Sequence, residues 1–569
     1  MFSSCIIFYM PATISDIDLH VRSYRSALKS NLEVTVNSLT NSHLRMESIL
    51  HPYGSDDKTI DFSSLIYTVM RLPPEIDCTE LILMGQNPDV FTTAGFPDIT
   101  SWHKIVSKAR RRTRYFNPKT HVGASLISSI TDVDDIVNLV IAFQTEWNKF
   151  HNLLKTHYPT QIQYKKALKS GKLLTDLSIS TKDWASFITA LGPKYRLRLQ
   201  RIYLHRRDIR LRLLAGSWID YTKTVQFWWK NVNLTYSKNS QEHLSQKNIY
   251  FISSNLHSFL NLFTGFPQTQ KKALLSRLKT DNPTLWDKWT QIQSQELLIP
   301  ESDFINFIYK DYAELPEFKT KFSRLQSQLH IQSIPNANYL DVNTQIFPIS
   351  SFTKSKHLDS RLKITKPSKI SNSKSIILNI DYPLGFAAYH ILNEIFENVG
   401  KVSGLYILGK AAVLNSEIGD IEVPKVIFDE HTQNTYMFNN CFDSFFPFPN
   451  HQGSILTNQK GASVLGTFLE NEALLRKYLE NNLTAIEMES GPYLSAVTEA
   501  TYDQQLPRSS TIDLNQAPLD IGIINYTSDT PYSQAKNLGA GALELNGLEP
   551  VYLGSLAILQ RIINLEEKA

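Results

Sequence analysis

Only three cysteines occur in 569 residues, Cys5, Cys78 and Cys441. An odd, widely spaced set excludes a disulfide framework and a zinc site built on paired cysteines. No stretch approaches the ~18 uninterrupted apolar residues of a membrane span, so no membrane partner is expected. Neither glycine (22) nor proline (25) is in excess, and no internal repeat is present. The opening MFSSCIIFYMPATISD places no basic residue before its short apolar run, so no secretory signal is expected. Met10 is the expected true start, and a cytoplasmic protein is expected. His390, His431 and His451 lack metal-ligand spacing; no metal and no other cofactor is expected.

What is present is globular: 42% hydrophobic and 20% charged residues, at a length that calls for two to four domains. The charge is uneven. Residues 373–569 carry 11 Lys and Arg against 23 Asp and Glu, a balance of −12, and residues 1–372 carry 47 against 31, a balance of +16. The polar, Ser/Asn/Lys/Pro-containing segment 334–373 reads as a linker between a mostly helical basic domain (1–333) and a C-terminal domain (374–569). In the first part, Ile136, Leu139, Val140, Phe143, Trp147 and Phe150 recur at helical spacing, with Asp132 or Asp134 to cap the start. A second helix is predicted over 194–216, others near TVQFWWKNVNL, NIYFISSNLHSFLNLFTGF and QKKALLSRL, and a strand around ELILMG.

After residue 373 the pattern changes. SIILNI, LYILG, IEVPKVIFDE, SILT, LTAIEME and GIINYTSD read as short strands, alternating with the helices PLGFAAYHILNEIFENVG, NEALLRKYLEN and GSLAILQRIINLEEK. The fold class is therefore multidomain, α followed by a layered α/β domain. Ligands of such sheets gather at the carboxyl ends of strands. Three ends carry suggestive residues: Gly409-Lys410-Ala411-Ala412 with Gly419-Asp420-Ile421, Glu487-Met488-Glu489, and Ser528-Asp529.

In this order and at these intervals, the three segments resemble the purine nucleoside phosphorylase/nucleosidase superfamily, over roughly the last third of the chain. DYPLGFAAYHIL is similar to the Gly-Asp-Pro-Leu turn of its hexameric phosphorylases. The resemblance implies a shortened nucleoside-phosphorylase-like domain, a purine nucleoside or nucleotide as partner, and a homo-oligomer. It implies that Glu489 accepts hydrogen bonds from the ribose hydroxyls, that Met488 packs under the sugar, and that Asp529 protonates purine N7. Glu487, Ser528, Gly409, Lys410 and Ala411 would line the same site, Lys410 meeting a 5′-phosphate. The carboxylates of Glu489 and Asp529 should lie about 8–12 Å apart, a nucleoside's length, across one cavity.

Departures shape the expected chemistry. Gly385 and Ile407 stand where the family's phosphorylases place arginines, and Lys536 is the only nearby cation after Asp529. The segment Tyr382–Ala388 lacks the nucleosidase glutamate, and the short 381–409 interval suggests deleted strands. The resemblance thus implies hydrolysis of an N-glycosidic bond, with Glu487, His390 or Asp381 positioning water; the alternative is a sensor that binds without turnover. Phe445, Phe446, Phe448 and Phe468 are read chiefly as core. Two basic clusters, Lys108 with Arg110, Arg111, Arg112 and Arg114, and 194–212 around Arg206, Arg207 and Arg210, allow nucleic acid as another partner or a face paired with acids.

Overall fold

Runs such as LILMG, NIYFISS and IILNID are apolar at nearly every position, and in the computed structural model each is a strand buried on both faces. The structure describes residues 13–109, 112–336, 340–444, 446–448, 452–502, 507–531 and 545–569. Met10, Arg110, Arg111, Phe445, His451 and Lys536 lie outside them. The chain divides into two units: one takes the chain up to Asp220 together with Leu465–Asn482, the other Tyr221–Val464, Leu483–Thr530 and the C-terminal helix Leu548–Lys568. The division falls at Asp220 and not in 334–373.

The first unit holds β1 (Val34–Thr35), β2 (Leu81–Gly85), β3 (His103–Ile105), β4 (Arg114–Asn117), β5 (Val122–Leu126) and β6 (Arg210–Leu213), in the order β1-β6-β2-β5-β4-β3. β2 is parallel to β5 and β6, and the outer pairs are antiparallel. Sequence alone points only to β2, because the others are two to five residues long and carry mostly polar alternate positions. The basic stretch read as one helix is helical only over Tyr195–Leu204. In Arg210–Leu213, Arg and Leu alternate with period two, Leu211 is fully buried, and the segment pairs with β1 and β2. The helix expected around Ile136–Phe150 runs from Ile130 to His157 with all six apolar positions buried. It starts earlier than expected: Ser129 is the N-cap, and Asp132 reaches back to the Ser128 amide and hydroxyl, 2.6 Å each.

The second unit is built on β7 (Asn248–Ser254), β8 (Gln332–Ile334), β9 (Thr344–Pro348), β10 (Ile376–Asp381), β11 (Lys401–Val413), β12 (Ile421–Asp429), β13 (Asn434–Met437), β14 (Ile455–Ser463), β15 (Ala485–Glu487), β16 (Thr511–Asp513) and β17 (Asp520–Asp529). β7 lies between β10 and β11 and is parallel to both, with Phe251 opposite Leu378 and Leu405. NIYFISS is a central strand and not the start of a helix, and it lies between the strands that bound the short 381–409 interval. β11, β17, β12, β14 and β15 pair in a closed ring, a small barrel.

Strand alternation divides the core. Phe251, Leu378, Leu405, Ile407 and Ile523 face the helices Ala387–Asn398 and Ser490–Thr501. Tyr250, Ile252, Leu408 and Ile524 face Leu256–Thr264 and Leu548–Lys568. Residues 334–373 are not a linker: β9 pairs with β8 and β10, and Ile346, Phe347, Ile349, Phe352 and Ile370 are buried. Their apolar side chains are scattered too irregularly to show a period.

Candidate functional site

Parallel strands β7, β10, β11 and β17 end on one edge of the sheet, presenting Ser253–Asn255, Asp381–Tyr382, Gly409–Ala412 and Thr527–Asp529. Ala412 lies opposite Ile486 of β15 and opposite Asp529 of β17. One strand end therefore carries the Glu-Met-Glu segment on one side and Ser-Asp on the other. With ~4.8 Å between strands, Ile486 and Asp529 stand about 10 Å apart across β11. The register shifts between Ala411 and Ala412, a bulge of the kind that re-aims side chains at strand ends.

Each motif residue has a distinct setting. Glu489 is the N-cap residue of helix Ser490–Thr501 and accepts the Gly385 amide at 3.1 Å through Oε1. Asp529 is buried and accepts the Thr530 amide at 2.9 Å. Met488 is half-buried beside Glu489. Ser528 donates to the Ala411 carbonyl at 3.4 Å. Glu487 is engaged by the chain itself: one oxygen meets the Ser463 hydroxyl, the other accepts the Glu489 and Ser490 amides, both at 2.7 Å. Burial raises its pKa and these bonds oppose the rise. It holds the start of the helix, so it is not placed to meet substrate or water. Gly409 borders open space, with nothing within 4 Å of where a Cβ would stand, while Ala411 joins Val413 and Ala485 in a small apolar cluster. Lys410 alternates onto the other face of β11 from these two and is exposed, so it does not share their side. His390 is packed beside Phe386 and Tyr221, and burial lowers it to about 4. Asp381 ends β10 opposite Ser254.

A row of buried polar groups escaped the sequence reading. Glu422 of β12 lies opposite Asn525 of β17, and Asn525 opposite Gly409 of β11. Ser253 sits on the same face, opposite Ile407, and Tyr493 covers that face from helix Ser490–Thr501. Asn525 Nδ2 is buried without a hydrogen-bond partner within the protein, and Glu422, Tyr493 and Ser490 are buried with the side chains of Ser416, Ser253 and Glu487 as their polar neighbours. A polar group buried without a partner costs about 1–3 kcal/mol, so the row is suited to a polar ligand. Burial pushes Glu422 up to about 7, Asp420 adding to the rise and the Ser416 hydroxyl opposing it. The available signal was a glutamate within the apolar run IEVPKVIF. A separate cavity of about 740 Å³ opens at the amino ends of the same strands, beside Asn248, Lys401 and Asp520, away from Glu489 and Asp529.

Elsewhere the expected candidates are largely committed to internal contacts. Phe446 and Phe448 belong to the core, and Phe468 packs on Tyr67 and His43. Arg198 pairs with Asp77, Arg112 with Asp132 and Asp135, Arg210 with Glu33, and Arg207 donates to the Thr79 carbonyl. Among the described residues, no helix is long and apolar enough to cross a membrane, and no group of three or more His, Cys, Asp or Glu could hold a metal ion.

Several solved structures are similar to part of this chain. A 5′-methylthioadenosine/S-adenosylhomocysteine nucleosidase from Neisseria meningitidis is 9% identical, covering 43% of this chain and 95% of that one, with a TM-score of 0.28. An S-adenosylhomocysteine nucleosidase from Streptococcus pyogenes is 14% identical over 42% and 92%, TM-score 0.27. A uridine phosphorylase from Schistosoma mansoni is 9% identical over 57% and 87%, TM-score 0.28. No curated protein matches. Residues 36–564 match the sequence pattern of a family of unknown function, DUF6909, and the chain belongs to that family.

Proposed function

We propose that the second unit binds a purine nucleoside or nucleotide at the carboxyl ends of β7, β10, β11 and β17 and hydrolyses its N-glycosidic bond. The observation that carries this reading is the strand register that sets Glu489 and Asp529 on either side of one strand end, next to the buried polar row at Glu422, Asn525 and Ser253. Glu489, already oriented by the Gly385 amide, accepts the ribose 2′- and 3′-hydroxyls; a carboxylate has lone pairs enough for all three bonds. Met488 packs under the sugar. Gly409, Ala411 and Ser528 allow close approach of the ligand. Asp529 donates a proton to N7, so the base leaves neutral as C1′–N9 breaks through an oxocarbenium-like state. Water bonds to C1′ and gives its proton to Glu422, a carboxyl poised near neutral pH. Phosphorolysis is not part of the proposal, since Gly385 and Ile407 offer no cation for phosphate.

The test is release of free base from a panel of purine nucleosides and 5′-nucleotides, with and without phosphate. Turnover is expected independent of phosphate, and Asp529→Asn should lower it ~100-fold or more. Thermal stabilisation by ligand without base release would leave a binding site only. Neither stabilisation nor release would end the nucleoside reading.

A further inference from the structure

In the first unit, buried polar side chains from four segments form one continuous line. His20 (helix Ile14–Lys29), His43 (helix Val36–Arg45), His51 (in 46–61) and Asn138, Glu146 and Lys149 (helix Ile130–His157) are each less than a tenth exposed. Asn138 sets the direction of the line. Its Nδ2 donates to the Asp134 carbonyl at 2.8 Å, so its Oδ1 is the acceptor for both His20 Nε2 at 3.0 Å and His43 Nδ1 at 3.2 Å. Neutral His43, with its hydrogen on Nδ1, accepts through Nε2 from His51 Nδ1 at 3.1 Å. His51 Nε2 then meets Glu146 Oε1 at 2.7 Å. Glu146 also holds the Asp61 amide at 2.7 Å and Lys149 Nζ at 2.6 Å, and Lys149 donates to the carbonyls of Tyr53, Asp56 and Thr59.

The two outer rings respond differently to a second proton. On His20 the new Nδ1–H can be accepted by Ser42 Oγ at 2.8 Å, whose own hydrogen goes to the Leu39 carbonyl at 3.0 Å. On His43 a second proton turns Nε2 into a donor facing the donor Nδ1–H of His51, and sets a cation 5.3 Å from that ring. Around the line stand Tyr24, bonded to Asp134 at 2.7 Å, Arg25 on the same carboxylate at 2.5 Å, Phe468 6.0 Å from His43, and Asp61 and Lys149 at the Glu146 end.

We propose that this line is an acid-operated latch: it holds helices Ile14–Lys29 and Val36–Arg45 to helix Ile130–His157, and protonation of His43 releases them. The imidazole energetics agree in sign. Burial lowers His20 to about 4, against the Asn138 bond, and lowers His43 well below its ordinary value, the fields of His51 and His20 adding. A base whose pKa falls on folding is protonated first in the released state. The latch is therefore fully closed above pH ~6.5 and weakens as pH falls through the window down to the folded values.

Hydrogen exchange of the full chain at pH 7 and pH 5, corrected for intrinsic rates, tests this. Protection of 14–45 should fall at least ~10-fold more than protection of β7–β17, and His43→Gln should reduce that extra fall at least ~3-fold, because glutamine does not titrate and only the share of His20 is left. The quantity compared is each variant's own ratio between the two pH values, so a general destabilisation cancels. If His43→Gln does not fold, His20→Gln takes its place and should also reduce the ratio. A fall shared equally by β7–β17, or one that persists in the folding variant, overturns the latch.

Discussion

Gly265→Ala is expected to destabilise the second unit by on the order of 4–5 kcal/mol, at the extreme of what single substitutions do. Gly265 ends helix Leu256–Thr264 in the left-handed region, φ 58°, which alone costs a side-chain-bearing residue ~1–2 kcal/mol. The greater cost is steric: a Cβ would stand 1.8 Å from the His357 carbonyl oxygen, and that atom belongs to backbone that cannot swing aside. The 355–359 segment is tied to the same helix by Ser355 Oγ on the Phe263 carbonyl at 2.7 Å and by the Asp359 amide on the Leu262 carbonyl at 3.0 Å. Gly171→Ala is the control: φ is 76° but nothing lies within 4 Å, so only the conformational cost of ~1–2 kcal/mol applies. Urea unfolding of both variants measures the difference. Equal losses would show that the His357 approach does not constrain the fold.

Arg198→Ala should cost the first unit about 3–5 kcal/mol, the usual result of stranding one partner of a buried ion pair. Arg198 donates Nε to Asp77 Oδ2 and Nη2 to Asp77 Oδ1, both at 2.6 Å, with both side chains buried. Arg206, exposed eight residues on, should tolerate alanine within ~0.5 kcal/mol. Denaturant midpoints for the two variants decide it; a mild Arg198→Ala would mean that Asp77 finds another cation, such as Arg201 at 3.9 Å.

That pair shows where reading the sequence stops. A run of arginines looks like a polyanion-binding face, yet the acids that Arg198 and Arg210 engage lie at Asp77 and Glu33, far away in sequence. The α/β character after residue 373 was legible because short apolar runs alternate with helical ones. β7 was not, because NIYFISS leads directly into a helix and its partners lie beyond residue 375. Within the candidate site, composition could nominate Glu487, Lys410 and Asp529 alike. Only hydrogen bonding and strand pleat separate them, with Glu487 bound to two amides and Lys410 on the opposite face from Gly409. Glu422 became visible only through its opposition to Asn525.

The interleaving of the two units has a consequence for how the chain is made. Translation delivers residues in order, but Thr467, Glu470 and Asn471 supply partners for Tyr67, Ile49, Thr13 and Met46. At ~5–20 residues per second, a ribosome needs on the order of tens of seconds to travel from Asp220 to Asn482. Throughout that interval the amino-terminal unit waits for its last segment. Over much of it β7 also lacks both neighbouring strands, since β10 and β11 are still unmade. The nascent chain thus carries an unpaired, apolar strand from Ser254 until Ile376 is made, a period in which such an edge is exposed to pairing with other chains.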